Sequence, residues 1–546
     1  MFLDKKEGVN YTVNPLRKQS IPNYISKELS KYSLTNNQLF SLPYLACDAN
    51  MDEYLKYFNN CWLLTESLFS ALKYEESFYL KPYHKLRHPA LFYYGHVATF
   101  YINKMLVSGL ITKTIDKHLE DIFETGVDEM SWDVNTKKNE IKWPNLDEVI
   151  SYRIQAYDLI IKTIKANKAL FEGEIDPKSP IWSLLMSFEH ERIHFETSSV
   201  LIRDLDIEHV TKPALLKDIK IVKDSSNSPK LDIDYPANNF LTIKGDKITI
   251  SKDDLNSFGW DNEFGQKEYN VPGFQVNNFL ISNGEFFEFV KDGGYHEDSY
   301  WCAQGLAWRK FSNISKPTFW YADGPKGSNL FKLRTCFEIV EMQWRFPVIV
   351  NHFEAKAFCA YKAKKEGQYY RLLTEAEHRL LSKDERDNVK EQEHNNYNYN
   401  LKLSSESAVD EHKSKTAPIY DLHGNIWQWL EDNFHPLTDF KIHEYYPDFS
   451  TPCFDDEHKM IAGSSFFSTG NLASIYSRYH FRPHFFQHAG FRLVTSTYKK
   501  EYFPVKVEFE TVNPNNGKLY IIFTENHKLN ILEKDIFNKK YTKLKK

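Results

Sequence analysis

The stretch LLMSFEHERIHFETSSVLI, residues 184–202, decides the first half of the fold. Apolar side chains recur at three and four with no glycine or proline among them, which predicts a helix. The amphipathic segment runs over 180–205, and Pro180 suits its opening turn. Within it His190 and His194 lie one turn apart on one face, so both imidazoles can reach a single metal ion. Two unrelated histidines give the same spacing, and the helix alone does not choose between them.

His190-Glu191-Arg192-Ile193-His194 also fits the HExxH pattern of a zinc metallopeptidase, with Glu191 as general base. The extended form of that pattern needs glycine and histidine where Thr197 and Val200 stand, while a later carboxylate such as Glu208 keeps the peptidase open as an alternative. A third imidazole is available from His96 in PALFYYGH (89–96), with His84 and His88 as its competitors. Three neutral imidazoles on one side of an ion leave positions for substrate and oxygen, and imidazole suits zinc, iron and copper alike. Glu196 offers either a carboxylate ligand or an acceptor for a ligand N–H.

Outward from this helix, residues 50–110 and 145–205 carry helical periodicity with few glycines. KDSSNSPKLDIDYPANN (223–239) is polar and rich in turn formers, and reads as a linker. Beyond it come short alternating runs such as 240–250, turn signals at Asn283-Gly284 and Gly293-Gly294, and one helix over 351–365. That is an α+β region without a βαβ rhythm. HNNYNYN (394–400) reads as a surface loop, and 505–523 around NPNNGK as a hairpin. The organisation is therefore a lead segment 1–45, a helical domain 46–225, an α+β domain 235–497 and a C-terminal extension 498–546.

A length of 546 residues exceeds one ordinary core. With 33 Tyr and 40 Phe against 21 Gly, the composition argues for aromatic-lined interiors and against low-complexity disorder. A net charge of −5 with no basic stripe gives a nucleic-acid role no support. The opening residues lack a signal-peptide core, no run of 18 apolar residues exists to span a membrane, and the six cysteines show no CxxC spacing. A reducing, cytoplasmic setting is expected.

Six blocks occur in a recognisable order: YHKLRHPALFYYGHVATFYINK (83–104), EHERIHFETSSVLIR (189–203), FVKDGGY (289–295), RLLTEAEH (371–378), GNIWQW (424–429) and FFQHAGFR (485–492). Over roughly 50–497 the chain resembles the sulfoxide synthases of thiol-histidine biosynthesis, most closely the ovothiol branch of 5-histidylcysteine sulfoxide synthases. The resemblance implies a multidomain α and α+β protein. A DinB-like four-helix bundle precedes a C-type-lectin-like domain of the formylglycine-generating-enzyme kind. It also implies Fe(II) held by His96, His190 and His194, with cysteine, histidine and dioxygen reacting there to give 5-histidylcysteine sulfoxide. An ergothioneine-type synthase, taking trimethylated histidine with cysteine or γ-glutamylcysteine, is the alternative. In either case Glu191 is not a peptidase base.

The sequence departs from the wider lectin-like pattern at Leu373 and His378, where proline and tryptophan are usual, and at GSSF (463–466), where GGSW is common. Cys453 is the only cysteine after Cys359, so the cysteine pair of the formylglycine-generating enzyme is unmatched. No methyltransferase pattern is visible in the tail, and methylation is expected from a separate protein. By the same resemblance YYPDFSTPCFD (445–455) supplies a proton- or hydrogen-donating tyrosine, Tyr446 first and Tyr445 next. Substrate carboxylates call for arginine. Arg478 and Arg482 in SRYHFRPHFF (477–486) are the best sources, with Tyr479, His480 and His484 lining the pocket and Arg87 facing it. Arg492, Trp427 and Trp429 are expected to hold the fold.

Overall fold

Asparagines and their glutamate partners fix where two of the long bundle helices begin. Asn50 and Glu53 form a reciprocal cap that starts α1 (Met51–Phe69), and Asn145 with Glu148 starts α4 (Leu146–Ala166) in the same way. The computed structural model describes residues 11–81, 87–124, 141–173, 175–222, 226–252, 256–383, 396–415 and 417–495, and the tail strands at 506–512, 519–525, 528–535 and 540–544. His84, the start of the 83–104 block and the start of the 394–400 loop lie outside these residues.

Between α1 and α4 come α2 (Ala90–Val107) and the short α3 (Lys117–Phe123); α5 (Trp182–Asp204) follows. Helices α2 and α1 each pack against both α4 and α5, which makes a four-helix arrangement. The reading of 180–205 as amphipathic is corrected, since every residue from Ile181 to Val200 is buried. One side of α5 lies in the bundle and the other against the second half of the chain.

Five charged side chains of α5 are buried, and each finds partners outside that helix. Glu189 accepts from the Tyr57 hydroxyl at 2.6 Å and from the Asn471 N–H at 2.7 Å. Glu191 accepts from Thr65 and Tyr101 at 2.7 and 2.8 Å. Arg192 donates to Ser41 and Asn60, with its guanidinium 4.2 Å over the Tyr57 ring. Glu196 accepts from Trp427, Ser465 and Ser468. Arg203 pairs with Glu406 at 2.6 Å and donates to the Arg334 carbonyl. Burial raises the three carboxylates on this helix above their usual range, and these donors oppose that rise. Gly470 sits at φ +60°, where a Cβ would collide with Glu189, so the loop reaches α5 only with glycine there.

The second half is a set of small sheets with helices between them. β1 (Phe240–Ile243), β4 (Phe274–Asn277) and β12 (Val494–Thr495) form one antiparallel sheet; β2 (Asp246–Ser251) pairs with β3 (Gln266–Val271). β5 (Trp320–Ala322), β6 (Phe331–Arg334) and β7 (Ile339–Glu341) form another. The sheet nearest the site runs in the order β10 (Tyr479–Phe481), β9 (Lys459–Ala462), β8 (Trp427–Asn433), β11 (Ala489–Gly490), with β8 and β11 parallel. Helix α6 (Asn283–Lys291) corrects the turn expected at Asn283-Gly284: Ser282 caps the Glu285 N–H, so the pair opens a helix. The helix read over 351–365 is α7 (His352–Glu366), capped by Asn351 and closed by Gly367. The passage read as a linker packs at Tyr235, which is buried and donates to Glu288. Residues up to Thr495 form one unit; the second, from Ser496, holds four antiparallel strands in sequence order. Among the described residues no helix is long and apolar enough to cross a membrane.

The Arg203–Glu406 pair joins α5 to the second half, with both side chains almost fully buried. Glu406→Ala leaves the guanidinium buried without its counter-charge, and we expect a loss of about 3–5 kcal/mol in urea unfolding. A loss below about 1 kcal/mol would show that the pair does not tie the halves together.

Candidate metal centre

Helix α2 presents His96 and α5 presents His190 and His194 to one point. The Nε2 atoms of His96 and His194 stand 3.3 and 3.2 Å from Nε2 of His190. Imidazole nitrogens bound side by side to one first-row ion, at about 2.0–2.1 Å, are separated by about 3.0–3.4 Å. Both pairs that include His190 therefore already have the spacing of a ligand set, and all three ligand atoms lie within 4.8 Å of one another. His96 donates its Nδ1–H to the Phe123 carbonyl at 2.7 Å, which leaves Nε2 as the lone-pair atom. Gly95 gives Phe123 room to approach, because a Cβ there would lie 2.6 Å from its ring. The Nδ1 atoms of His190 and His194 have no hydrogen-bond partner among the described residues.

Burial pulls His96 down to about 4 and holds His190 and His194 well below the usual histidine range, helped by their neighbouring charges. All three are neutral near pH 7, the form a metal needs. Three buried neutral imidazoles aiming lone pairs at one point fit a divalent first-row cation. Phe100 stacks on His190 at 3.6 Å and 8°, which fixes that ring.

The imidazoles line a cavity of about 360 Å³. Tyr446 is in its wall, 5.2 Å from the Phe100 ring and 6.4 Å from the His190 ring. Lys104 lies 4.3 Å over the Tyr446 ring, and burial brings its ammonium down to about 8 despite Asp448 and Glu124. Tyr479, His480 and Arg87 also line the cavity. Arg87 and Thr197 are shared with a neighbouring cleft of about 1190 Å³, where Arg482 and His484 are found.

Several expected roles are corrected by this geometry. Arg478 is not in the cavity; its guanidinium is tied to Glu375 at 2.7 Å and to the carbonyls of Asn262 and His435. Tyr445 turns away, its hydroxyl donating to the Lys178 carbonyl at 3.1 Å. Arg482 faces the neighbouring cleft, near Glu457 at 3.3 Å. His88 packs against Phe92 and Trp143 and is not part of the triad. Glu196 is neither ligand nor acceptor for a ligand N–H, because both its oxygens serve the second half of the chain. Glu191 points into the bundle toward Thr65 and Tyr101, which removes the general base from the peptidase reading. As expected, Arg492 binds backbone carbonyls and Trp427 and Trp429 are buried, Trp427 also donating to Glu196.

The sequence reading missed Phe100, Lys104, Cys453 and His458. The first two were legible, since they follow His96 at four and eight on the same helical stripe. Cys453 ends a single helical turn and His458 sits on the loop after it, where spacing carries no such signal.

Residues 229–497 match the model of the sulfatase-modifying factor enzyme 1-like domain, which sets the class of the second half as a lectin-like α+β domain. The chain is 23% identical over 425 residues to "Ergothioneine biosynthesis protein 1" of Schizosaccharomyces pombe, covering 71% of this chain and 49% of that protein. The Neurospora crassa protein of the same name is 20% identical over 475 residues, covering 71% and 51%. "Hercynine oxygenase" of Mycobacterium tuberculosis is 25% identical over 226 residues, covering 38% and 48%. The chain thus spans about half the length of the curated relatives it matches. These similarities support the ergothioneine/ovothiol sulfoxide synthase family as the one this chain resembles.

Glu191→Gln is expected to bind iron(II) at the wild-type level, whereas His190→Ala weakens iron(II) binding at the three-imidazole centre at least about 100-fold, more than loss of an outer partner costs. Metal analysis after equilibrium dialysis checks both. A Glu191→Gln protein that cannot hold metal would contradict the orientation described for that carboxylate.

Proposed function

We propose that the chain is an iron(II)- and dioxygen-dependent sulfoxide synthase that joins the sulfur of cysteine to the imidazole of histidine, giving 5-histidylcysteine sulfoxide. The observation carrying this reading is the convergence of the His96, His190 and His194 Nε2 atoms on one cavity wall. In this reading 46–225 is a DinB-like bundle and 235–497 the lectin-like domain, and the centre forms where the two meet. The overall change balances without a further reductant: thiol, imidazole C–H and O2 give the sulfoxide and water. Dioxygen takes up four electrons, two from forming the C–S bond and two from forming the S–O bond.

Bound iron(II) would supply the redox chemistry and favour a thiolate as incoming ligand. The protein's part is positioning, dryness and proton supply. Phe100 keeps the His190 ring in place. Tyr446 is the proposed donor of a proton or hydrogen atom, with the Lys104 ammonium over its ring to oppose positive charge building there. Arg87, where cavity and cleft meet, is the proposed carboxylate anchor, with Tyr479 and His480 beside it. Arg482 is proposed to hold the far end of a substrate lying in the cleft. A second reading, with trimethylated histidine as the imidazole substrate, is favoured by the relatives named for ergothioneine biosynthesis and hercynine. A cytoplasmic setting and a separate methyltransferase acting afterwards belong to the ovothiol reading.

The test is oxygen uptake by the iron(II)-loaded protein given cysteine with histidine, or cysteine with trimethylated histidine. One joined product carrying a single added oxygen is expected by mass spectrometry, and its identity chooses between the two readings. No joined product with either pair overturns both. Tyr446→Phe is expected to lower coupling by about 100-fold, while Tyr445→Phe stays within about twofold of wild type. Equal losses in the two variants would contradict the assignment of Tyr446.

A further inference from the structure

The same cavity carries a second set of ligand atoms. Cys453 closes the single turn Thr451–Cys453, His458 immediately precedes β9, and His480 lies in β10. One ligand atom from each falls within 4.8 Å of the others. The antiparallel register of β9 and β10 sets Met460 opposite His480, which brings His458 beside it. The two rings meet edge to face at 5.2 Å.

Their surroundings favour a cation. Both Asp455 oxygens lie 3.0 Å from Nδ1 of His458, so that nitrogen carries the proton and Nε2 is the ligand atom. A carboxylate behind an imidazole in this way is how metal-bound histidines are oriented. Phe434 stacks on His480 at 3.9 Å and fixes its ring, and the buried Nδ1 of His480 has no hydrogen-bond partner among the described residues. A thiolate with two imidazoles suits thiophilic borderline ions and disfavours magnesium or calcium. On a zinc-sized ion, such sulfur and nitrogen atoms stand about 3.3–3.7 Å apart, a closure that side-chain rotation supplies.

We propose that Cys453, His458 and His480 bind a second cation, of the zinc(II) class, in the cavity that also holds the three-imidazole centre. Three protein ligands leave a position open to the cavity for water or a thiol. Binding takes the proton from the Cys453 thiol, so it weakens as the solution is acidified. His480 then meets substrate through the ion rather than directly. The inference stands on its own ligands and does not depend on which ion the three imidazoles take.

Cobalt(II) titration of the full chain tests it. Wild type is expected to take about two equivalents and to develop a thiolate-to-cobalt charge-transfer band. Cys453→Ser loses the band and one equivalent, while His190→Ala/His194→Ala loses an equivalent and keeps the band. A wild-type titration without the band, or a band that survives Cys453→Ser, overturns the second site. A band that persists with only one equivalent in wild type instead counts against the three-imidazole centre. In case Cys453→Ser folds poorly, wild-type protein with zinc(II) gives an independent reading. Alkylation of Cys453 by iodoacetamide, followed by mass spectrometry, should slow at least about tenfold. An unchanged rate overturns the proposal.

Discussion

The structure depends on a helix that has no face to give to water. From Ile181 to Val200 every residue of the α5 region is buried, yet that stretch carries Glu189, Glu191, Arg192 and Glu196. Buried charges of this kind persist only when each is paired or hydrogen-bonded. Each of these side chains accordingly fits one set of partners: Tyr57 and Asn471, Thr65 and Tyr101, Ser41 and Asn60, or Trp427 with two serines. Rotating the helix would orphan all of them together. The remaining face, bearing His190 and His194, is thereby held toward the cavity.

The site needs both halves of the chain. Helices α2 and α5 contribute three imidazoles, and Phe100 and Lys104 continue the His96 stripe toward Tyr446. Most of the remaining wall comes from residues 446–481, which include Tyr446, Tyr479 and His480. Glu196 and Arg203 bind that second half to α5, so the contacts that secure the helix also place the wall opposite its histidines. Packing and chemistry thus share one element.

Much of this was legible in the sequence where local rules apply. The pairs Asn50/Glu53, Asn145/Glu148 and Asn351/Glu354 start helices where their spacing says they should. The i, i+4 spacing put His190 and His194 on one face, and the six blocks singled out His96. What stayed hidden depends on which distant element covers a side chain. Arg478 has the right chemistry for a carboxylate, but the carboxylate it meets is Glu375. Tyr445 and Tyr446 are adjacent, and only the fold sends one to the Lys178 carbonyl and the other to the cavity. Cys453, His458 and His480 come together through a strand pairing and a loop that no periodicity announces.

The central claim is that three rings from two helices hold one redox-active ion. Anomalous diffraction at the iron edge, on crystals of the iron(II)-loaded protein grown without oxygen, tests it most directly. The account expects a peak within about 2.3 Å of the Nε2 atoms of His96, His190 and His194 together. Iron located elsewhere, or those three rings separated and packed into different interiors, would contradict it.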